Sequence, residues 1–590
     1  MKPMLIATLA SLVAAAVDVS DFDWSVVEPS TSLNYTSCYD GHKCAKLLVP
    51  LDWLNPETNH AQVTLAVVAR PAVVAESDAS FGGSIMTNPG GPSGSGVGFL
   101  LNWGERLQRQ ADSDERKFEI VSFDPRGVGL TEPNADCYQS EFARGAFVLE
   151  DRAMGTPDAG IDVVRRKMSR AGAFGRLCET GDETNNIRGF MSTSSVARDM
   201  VALVDKLDEL RKEDGSEREE RLELRSSQSR DETPRLQYWG FSYGTVLGNY
   251  FASMFPGRVG RIILEAVEDP YDYVNATWAL NLVDTQKALD HFWETCFEGG
   301  SSCALFKSTD NSSADVRGRF EAFLGSLDDS PAPYISSKTV VSITRQDVLG
   351  TIFSALYKPL LAFPSLATTI DEAMHGNFTA LYEGMMLPTI ANSCDLREPE
   401  AYTWSRDAQS AIACGDGEPQ TNMTADDFVK YIDGLKADSP DFGPQWSHIR
   451  LPCKGWRIRP AYRFTGPWTT PASDPSLVKG KPAAPILFVS SLIDPVTPLA
   501  NAREASKAHP GSIVLVQDNV GHGASITPGK CREGLIKKYF ATGELPGEET
   551  HCKADCRPFQ DCASLGVTTM ANDEGRLESL RRRAPLSIFG

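Results

Sequence analysis

The sequence predicts an α/β protein: a mostly parallel sheet flanked by helices and interrupted by a mainly helical cap insertion. Three observations lead there. Arg235-Leu236-Gln237-Tyr238-Trp239 alternates polar and apolar like a half-buried strand and runs into Gly240-Phe241-Ser242-Tyr243-Gly244. A helical stretch, 246–255, follows and stops at Pro256-Gly257. Two continuous apolar runs of the kind that buried parallel strands show, 485–490 and 512–516, appear late in the chain. Between these two regions lies a long span without strand–helix alternation, whose segments, such as 285–297 and 426–435, look helical.

From the start of the chain, residues 1–16 read as a secretory signal peptide: Lys2, an apolar run, then Ala14-Ala15-Ala16 as a small-residue cleavage site. No later stretch reaches the roughly 18 apolar residues that a membrane span needs. The expected product is exported and extracellular. Thirteen cysteines fit that compartment, where most would pair; the odd number leaves one free or paired between chains. Cys38 with Cys44 and Cys296 with Cys303 are close enough in sequence to be local pairs. His551, Cys552, Cys556 and Cys562 resemble a zinc cluster only superficially, since a C-x-x-C half is missing, and no metal is expected. Five N-x-S/T sequons, at Asn34, Asn275, Asn311, Asn377 and Asn422, are candidate glycosylation sites. A net charge of −20 makes nucleic acid and anionic membrane surfaces poor partners.

Early strands are expected at 44–53, 62–69 and 84–87. The third runs into the loop Asn88-Pro89-Gly90-Gly91-Pro92-Ser93-Gly94-Ser95-Gly96. This loop lacks the Gly-Lys-Ser/Thr of a phosphate cradle and the third glycine of a dinucleotide fingerprint, so no nucleotide cofactor is expected. Its exposed backbone N–H groups suit an oxyanion instead. A strand at 118–123 closes on Asp124-Pro125-Arg126-Gly127, which either reverses the chain or braces the site. Val196, Met200, Leu203, Val204, Leu207 and Leu210 share one helical face, which predicts a crossover helix before the strand at 235–239. The charge-rich run 208–235 is expected to be a solvated insertion. A strand at 261–264 ends the first half. The resulting division is a core of 17–270, a helical cap of 271–479 that excludes water and selects substrate, and a second core part of 480–590 with a cysteine-rich end.

The chemistry rests on Ser242. A serine hydroxyl is a poor nucleophile until a base takes its proton, and a strand–turn–helix context lifts the side chain clear of the sheet so that a histidine can reach it. Gly240 and Gly244 are then steric requirements of the turn. Asp494 follows the first late strand in Asp494-Pro495-Val496-Thr497-Pro498, and His522 follows the second in Gly521-His522-Gly523. Both stand at carboxyl ends of expected parallel strands, where catalytic groups collect, in the chain order Ser, Asp, His. Asp518 competes with Asp494 for the acid role.

With these residues in place, the chain resembles the tripeptidyl aminopeptidase-like branch of the prolyl aminopeptidase group of α/β-hydrolases. The resemblance runs through residues 44–53, Asn88-Pro89-Gly90-Gly91-Pro92, Asp124-Pro125-Arg126-Gly127, 239–245, Cys453-Lys454-Gly455-Trp456, 494–498, Gly521-His522-Gly523 and Leu545-Pro546 through Cys552. It implies that Ser242 is the nucleophile, His522 the base and Asp494 its orienting acid. Gly90 or Gly91 with Tyr243 would supply the oxyanion N–H groups. It also implies carboxylates that hold a substrate amino group; the cap is rich in acids, Asp416 and Glu418 among them. The chain departs from the family at Glu265-Ala266-Val267, where members often have Asp-Gly-Val, and in the 208–235 run. The substrate is expected to be a peptide, released as short N-terminal pieces, or a small-molecule acyl compound or ester. A catalytically silent binding protein is disfavoured by the complete set of three residues.

Overall fold

The computed structural model describes residues 18–138, 140–180, 186–219, 233–336, 339–385, 387, 406–548 and 550–565. The expected signal peptide at 1–16 and Cys394 lie outside them. The strands in chain order are β1 (Pro29–Ser30), β2 (Thr36–Cys38), β3 (His42–Pro50), β4 (Gln62–Arg70), β5 (Phe81–Asn88), β6 (Lys117–Phe123), β7 (Leu236–Phe241), β8 (Val259–Glu265), β9 (Ala332–Ile335), β10 (Val340–Ile343), β11 (Leu487–Ile493), β12 (Ile513–Val520) and β13 (His551–Lys553). All but β9 and β10 join one sheet in the order β1-β3-β4-β6-β5-β7-β8-β11-β12-β13, with β2 on β3. From β6 to β13 every neighbour pair is parallel, while β4 runs antiparallel to both β3 and β6. This is the α/β-hydrolase fold. β7, which leads to Ser242, lies in the middle between β5 and β8.

Period-2 alternation divides the core between two faces of the sheet. Val67, Val121, Tyr238, Leu264 and Phe488 pack on one face against the helices Thr193–Glu219 and Tyr243–Met254. Their chain neighbours Val68, Ile120, Trp239, Ile263 and Val489 pack on the other, against Gly96–Ala111 and Lys530–Thr542. A parallel sheet covered on both sides has to be apolar on both sides, which is why β11 and β12 read as unbroken apolar runs. The crossover helix begins where expected but continues to Glu219, so the first part of the 208–235 run extends it instead of leaving it. Arg211 anchors that extension by donating to Ser84 and pairing with Glu119. Residues 220–232 lie outside the described residues.

Between β8 and β11 the chain is mostly helical and builds its own core around Leu289, Phe292, Trp293, Phe320, Ile352 and Phe363. The β9–β10 hairpin in this span is not foreshadowed by the sequence pattern. The helix Ile161–Glu179, which precedes β7 in the chain, packs Val164, Met168 and Ala171 against Met423, Phe428, Ile432 and Leu451 of the insertion. Six disulfides join Cys38–Cys44, Cys137–Cys178, Cys296–Cys303, Cys414–Cys453, Cys531–Cys552 and Cys556–Cys562. The two local pairs are as expected from spacing, and the cysteines of the zinc-like cluster are all consumed in disulfides. Among the described residues no helix is long and apolar enough to cross a membrane.

Candidate active site

β7 ends at Phe241, and Ser242 turns the chain into the helix Tyr243–Met254 with φ 55° and ψ −128°. A side-chain-bearing residue in this region costs about 1–3 kcal/mol and persists only when its surroundings impose it. Here they do. Ser242 donates its N–H to Glu265 O (3.2 Å), and its carbonyl accepts from Thr245 N (2.7 Å) and Thr245 Oγ1 (2.6 Å). The flanking glycines are required, as expected: a Cβ on Gly240 would lie 2.4 Å from Gly244 O, and one on Gly244 would lie 2.6 Å from Asn88 O. Gly90 is pressed equally close, since a Cβ there would stand 2.7 Å from that of Ser242.

The acid and the histidine meet across the ends of β11 and β12. His522 Nδ1 stands 3.0 and 3.2 Å from the two carboxylate oxygens of Asp494, and both side chains are fully buried. Asp494 also accepts from the backbone N–H groups of Val496 (3.0 Å), Thr497 (2.8 Å) and Gly523 (2.9 Å). Carboxylate oxygens accept, so Nδ1 is the donor and Nε2 is left as the basic nitrogen of the ring. Thr497 Oγ1, 3.1 Å from Nδ1, borders the same contact. The insertion holds the histidine from above: Tyr357 O accepts the His522 N–H (2.9 Å), and the two rings meet edge to face at 5.1 Å. Asp518, the competing acid, is exposed on β12 and makes no such contact.

One pocket joins these parts. Ser242, Gly91, Val496 and Thr497 line it from the core, and Tyr357, Trp446 and Ile449 line it from the insertion. Ser242 and the turn that carries Asp494 therefore face a common space. Of the two glycines expected to serve an oxyanion, Gly90 has its N–H taken by Asn88 Oδ1 (2.9 Å), whereas Gly91 lines the pocket. Tyr243 is the first residue of its helix, where the amide has no intrahelical acceptor.

The Asp-Pro-Arg-Gly turn braces the site. Asp124, fully buried, accepts from Ser95 Oγ (2.7 Å), Val97 N (3.0 Å) and Leu130 N (2.8 Å), which ties the start of helix Gly96–Ala111 to the end of β6. Arg126 forms a fully buried pair with Asp199 (2.6 Å) and donates to the carbonyls of Pro50 and Leu51. The Glu265 of the unusual Glu265-Ala266-Val267 run does similar work on the other side. It accepts from Trp239 Nε1 (3.0 Å), Ser525 N (2.6 Å) and Ser525 Oγ (2.9 Å), tying β7 to the loop after His522. Ala266 stands at φ 58°, a region that favours glycine.

The acids named from the cap composition do not reach the pocket. Asp416 is buried but committed to Thr193 and Tyr273, and burial pushes its carboxyl up to about 6. Glu418 pairs with Arg463 (2.8 Å) at the surface. The acid that does line the pocket is Glu268, 4 % exposed, three residues beyond β8. Its place at the carboxyl end of a central parallel strand was the available signal. Asn281 and Trp278, also in the lining, carry no recognisable sequence signal.

Residues 439–552 match the family model described as TAP-like protein. The chain is similar to a tripeptidyl aminopeptidase of Streptomyces lividans, with 23% identity over 92% of this chain and 88% of that protein. It is similar to the serine protease Hip1 of Mycobacterium tuberculosis, with 26% identity over 87% of each. It is also similar to a protein of the same organism named carboxylesterase B, with 25% identity over 86% of each.

Proposed function

We propose that this protein is a secreted serine hydrolase that works through an acyl-enzyme and acts as an aminopeptidase releasing short N-terminal peptides. The observation that carries the hydrolase reading is the shared pocket: Ser242, on a strained turn, faces the same space as the Asp494 turn whose acid holds His522. Ser242 Oγ attacks the substrate carbonyl while His522 Nε2 takes its proton. Asp494, bonded to Nδ1, keeps the ring oriented and stabilises the imidazolium. The N–H groups of Gly91 and Tyr243 receive the oxyanion, the Gly90 amide being engaged elsewhere. The C–N bond then breaks, His522 passes the proton to the leaving amine, and the acyl group stays on Ser242. Water, deprotonated by His522, attacks the ester, and the acid is released with Ser242 reprotonated.

The peptidase assignment is favoured by the relatives' names and by the buried acid in the pocket. Secretion is supported by the leader-like residues 1–16 and six disulfides, and all five sequon asparagines are exposed, as glycan acceptors must be. The test is a panel of aminoacyl and tripeptidyl p-nitroanilides, each free and N-acetylated, beside short acyl esters. The expected result is amide cleavage that falls at least about a hundredfold on acetylation, because an unfilled cation site in a buried pocket is costly. Cleavage should be lost by at least about three orders of magnitude in Ser242→Ala. Equal rates on free and acetylated amides would leave a serine ester hydrolase and exclude the aminopeptidase.

A further inference from the structure

Asp416 ends the helix Arg406–Asp416 of the insertion, and its buried carboxylate is spent on the core. Thr193, the first residue of the helix Thr193–Glu219, donates to it twice, from its backbone N–H (3.1 Å to Oδ1) and from its hydroxyl (2.5 Å to Oδ2). Tyr273 Oη donates to Oδ2 as well (2.8 Å). A carboxylate only accepts, so the Thr193 hydroxyl proton points at Asp416. The 2.6 Å contact between Thr193 Oγ1 and Tyr243 Oη then has one direction, with Tyr243 as the donor. The chain runs from Tyr243 through Thr193 to Asp416 and ends on a charge, which strengthens and orients each link. Burial pushes the Asp416 carboxyl up to about 6, so it stays ionised at neutral pH.

The acid end of this chain is firmly mounted. Arg463 Nε donates to the Asp416 carbonyl (2.9 Å), and Arg459 donates to the carbonyls of Cys414 (2.9 Å) and Gly417 (2.8 Å) on either side. Cys414 is bonded in turn to Cys453. At the other end, Tyr243 is buried and its ring lies 5.6 Å from that of Tyr273. Tyr243 directly follows Ser242, whose φ of 55° persists only under constraint. The hydrogen bonds of the Ser242 backbone reach Glu265 on β8 and Thr245 in the first turn of the next helix. The Tyr243 hydroxyl adds a tether that leads to the insertion.

We infer that Asp416 is a positioning residue for the oxyanion site: acting through Thr193, it fixes Tyr243 and with it the backbone N–H that receives the oxyanion. The insertion then completes the nucleophile turn as well as covering it. This role rests on the hydrolase reading of Ser242 and holds for a peptide or an ester substrate alike.

The test cuts the chain at each link and measures kcat and KM on a tripeptidyl p-nitroanilide and on p-nitrophenyl butyrate. Asp416→Asn, Thr193→Val and Tyr243→Phe are each expected to lower kcat at least about tenfold while KM changes less than about threefold, since a misplaced oxyanion donor is felt in the transition state. Thr193→Ser, which returns the hydroxyl, is expected to recover most of the loss seen in Thr193→Val. The Asp416→Asn/Tyr243→Phe double variant should be no slower than the slower of its parents, because both cut one chain. Unchanged kcat, a loss confined to KM, no recovery with serine, or losses that multiply in the double variant would each overturn the role. Tyr243→Phe carries the kcat and KM comparison by itself if Asp416→Asn or Thr193→Val fails to fold. A second measurement needs no turnover. Deuterium uptake by the amides of 241–249, read by mass spectrometry, is expected to quicken at least about threefold in Asp416→Asn and in Tyr243→Phe, with β11 unchanged. Equal uptake, or a rise shared by β11, would overturn the tether. A wild-type chain that neither turns over nor labels at Ser242, with faster uptake in both variants, would reject the hydrolase reading and leave the link from Asp416 to Tyr243 standing.

Discussion

The turn after β11 and the corner after β8 each place a buried acid beside the same pocket, and the two acids are treated in opposite ways. Asp494 accepts three backbone N–H groups and the imidazole of His522. Glu268 presents an oxygen that accepts nothing. Burial alone therefore does not set the condition of a carboxylate; the donors around it do. Donors around a buried acid offset the cost of its burial, whereas Glu268 bears that cost, and its carboxyl is raised well above the usual carboxylate range.

The sharpest way to break this comparison is at the committed acid. Asp494→Asn keeps the shape but offers the histidine a donor where it needs an acceptor, and kcat is expected to fall by about four orders of magnitude. Asp518→Asn, at the exposed competitor, should cost less than about tenfold, the usual effect of a surface change away from the site. Steady-state kinetics on one amide substrate checks both. The reverse ranking would move the acid and dissolve the contrast.

Asp416 sharpens the comparison from between, being buried like Glu268 but hydrogen-bonded like Asp494. Its carboxyl is pushed up to about 6, chiefly by burial, while Thr193, Tyr273 and the charge of Arg463 pull the other way. The folded value lies above the ordinary 3.8, so the folded chain holds this proton more tightly than the unfolded one. Its contribution to stability is thus full below about pH 4, is lost as pH rises to about 6, and is flat beyond; the span is about 3 kcal/mol. Asp124, also pushed up to about 6 by burial, titrates in the same window. Asp416→Asn is expected to reduce, without abolishing, the loss of unfolding free energy between pH 4 and pH 7, measured by denaturant titration. An unchanged slope would mean that the hydrogen bonds from Thr193 and Tyr273 already cancel the cost of burial.

The sheet was legible because its strands are buried on both faces and leave unbroken apolar runs, and because β7, Ser242 and the following helix change period within a few residues. Asp494 and His522 were legible for the same reason, each following a recognisable strand. The insertion was not. Amphipathic spacing located the helices Thr285–Gly299 and Ala425–Asp438 but does not encode where they dock. Nothing local announces that Ile161–Glu179 joins them or that Ala332–Ile335 and Val340–Ile343 pair. Among many acids, composition pointed to Asp416 and Glu418, while the residue in the pocket, Glu268, is marked by its position three residues after β8, a signal that composition does not weigh. The engagement of Gly90 by Asn88 was likewise invisible, since two adjacent glycines look alike until their amides have partners.

The central claim is that Ser242 becomes acylated. The most direct measurement is to react the wild-type protein with a fluorophosphonate, digest it, and locate the adduct by mass spectrometry. The account predicts one adduct per chain, on the peptide that contains Ser242, absent from Ser242→Ala and strongly slowed in Asp494→Asn. Stoichiometric labelling at another residue, or labelling of Ser242→Ala at the wild-type rate, would contradict it.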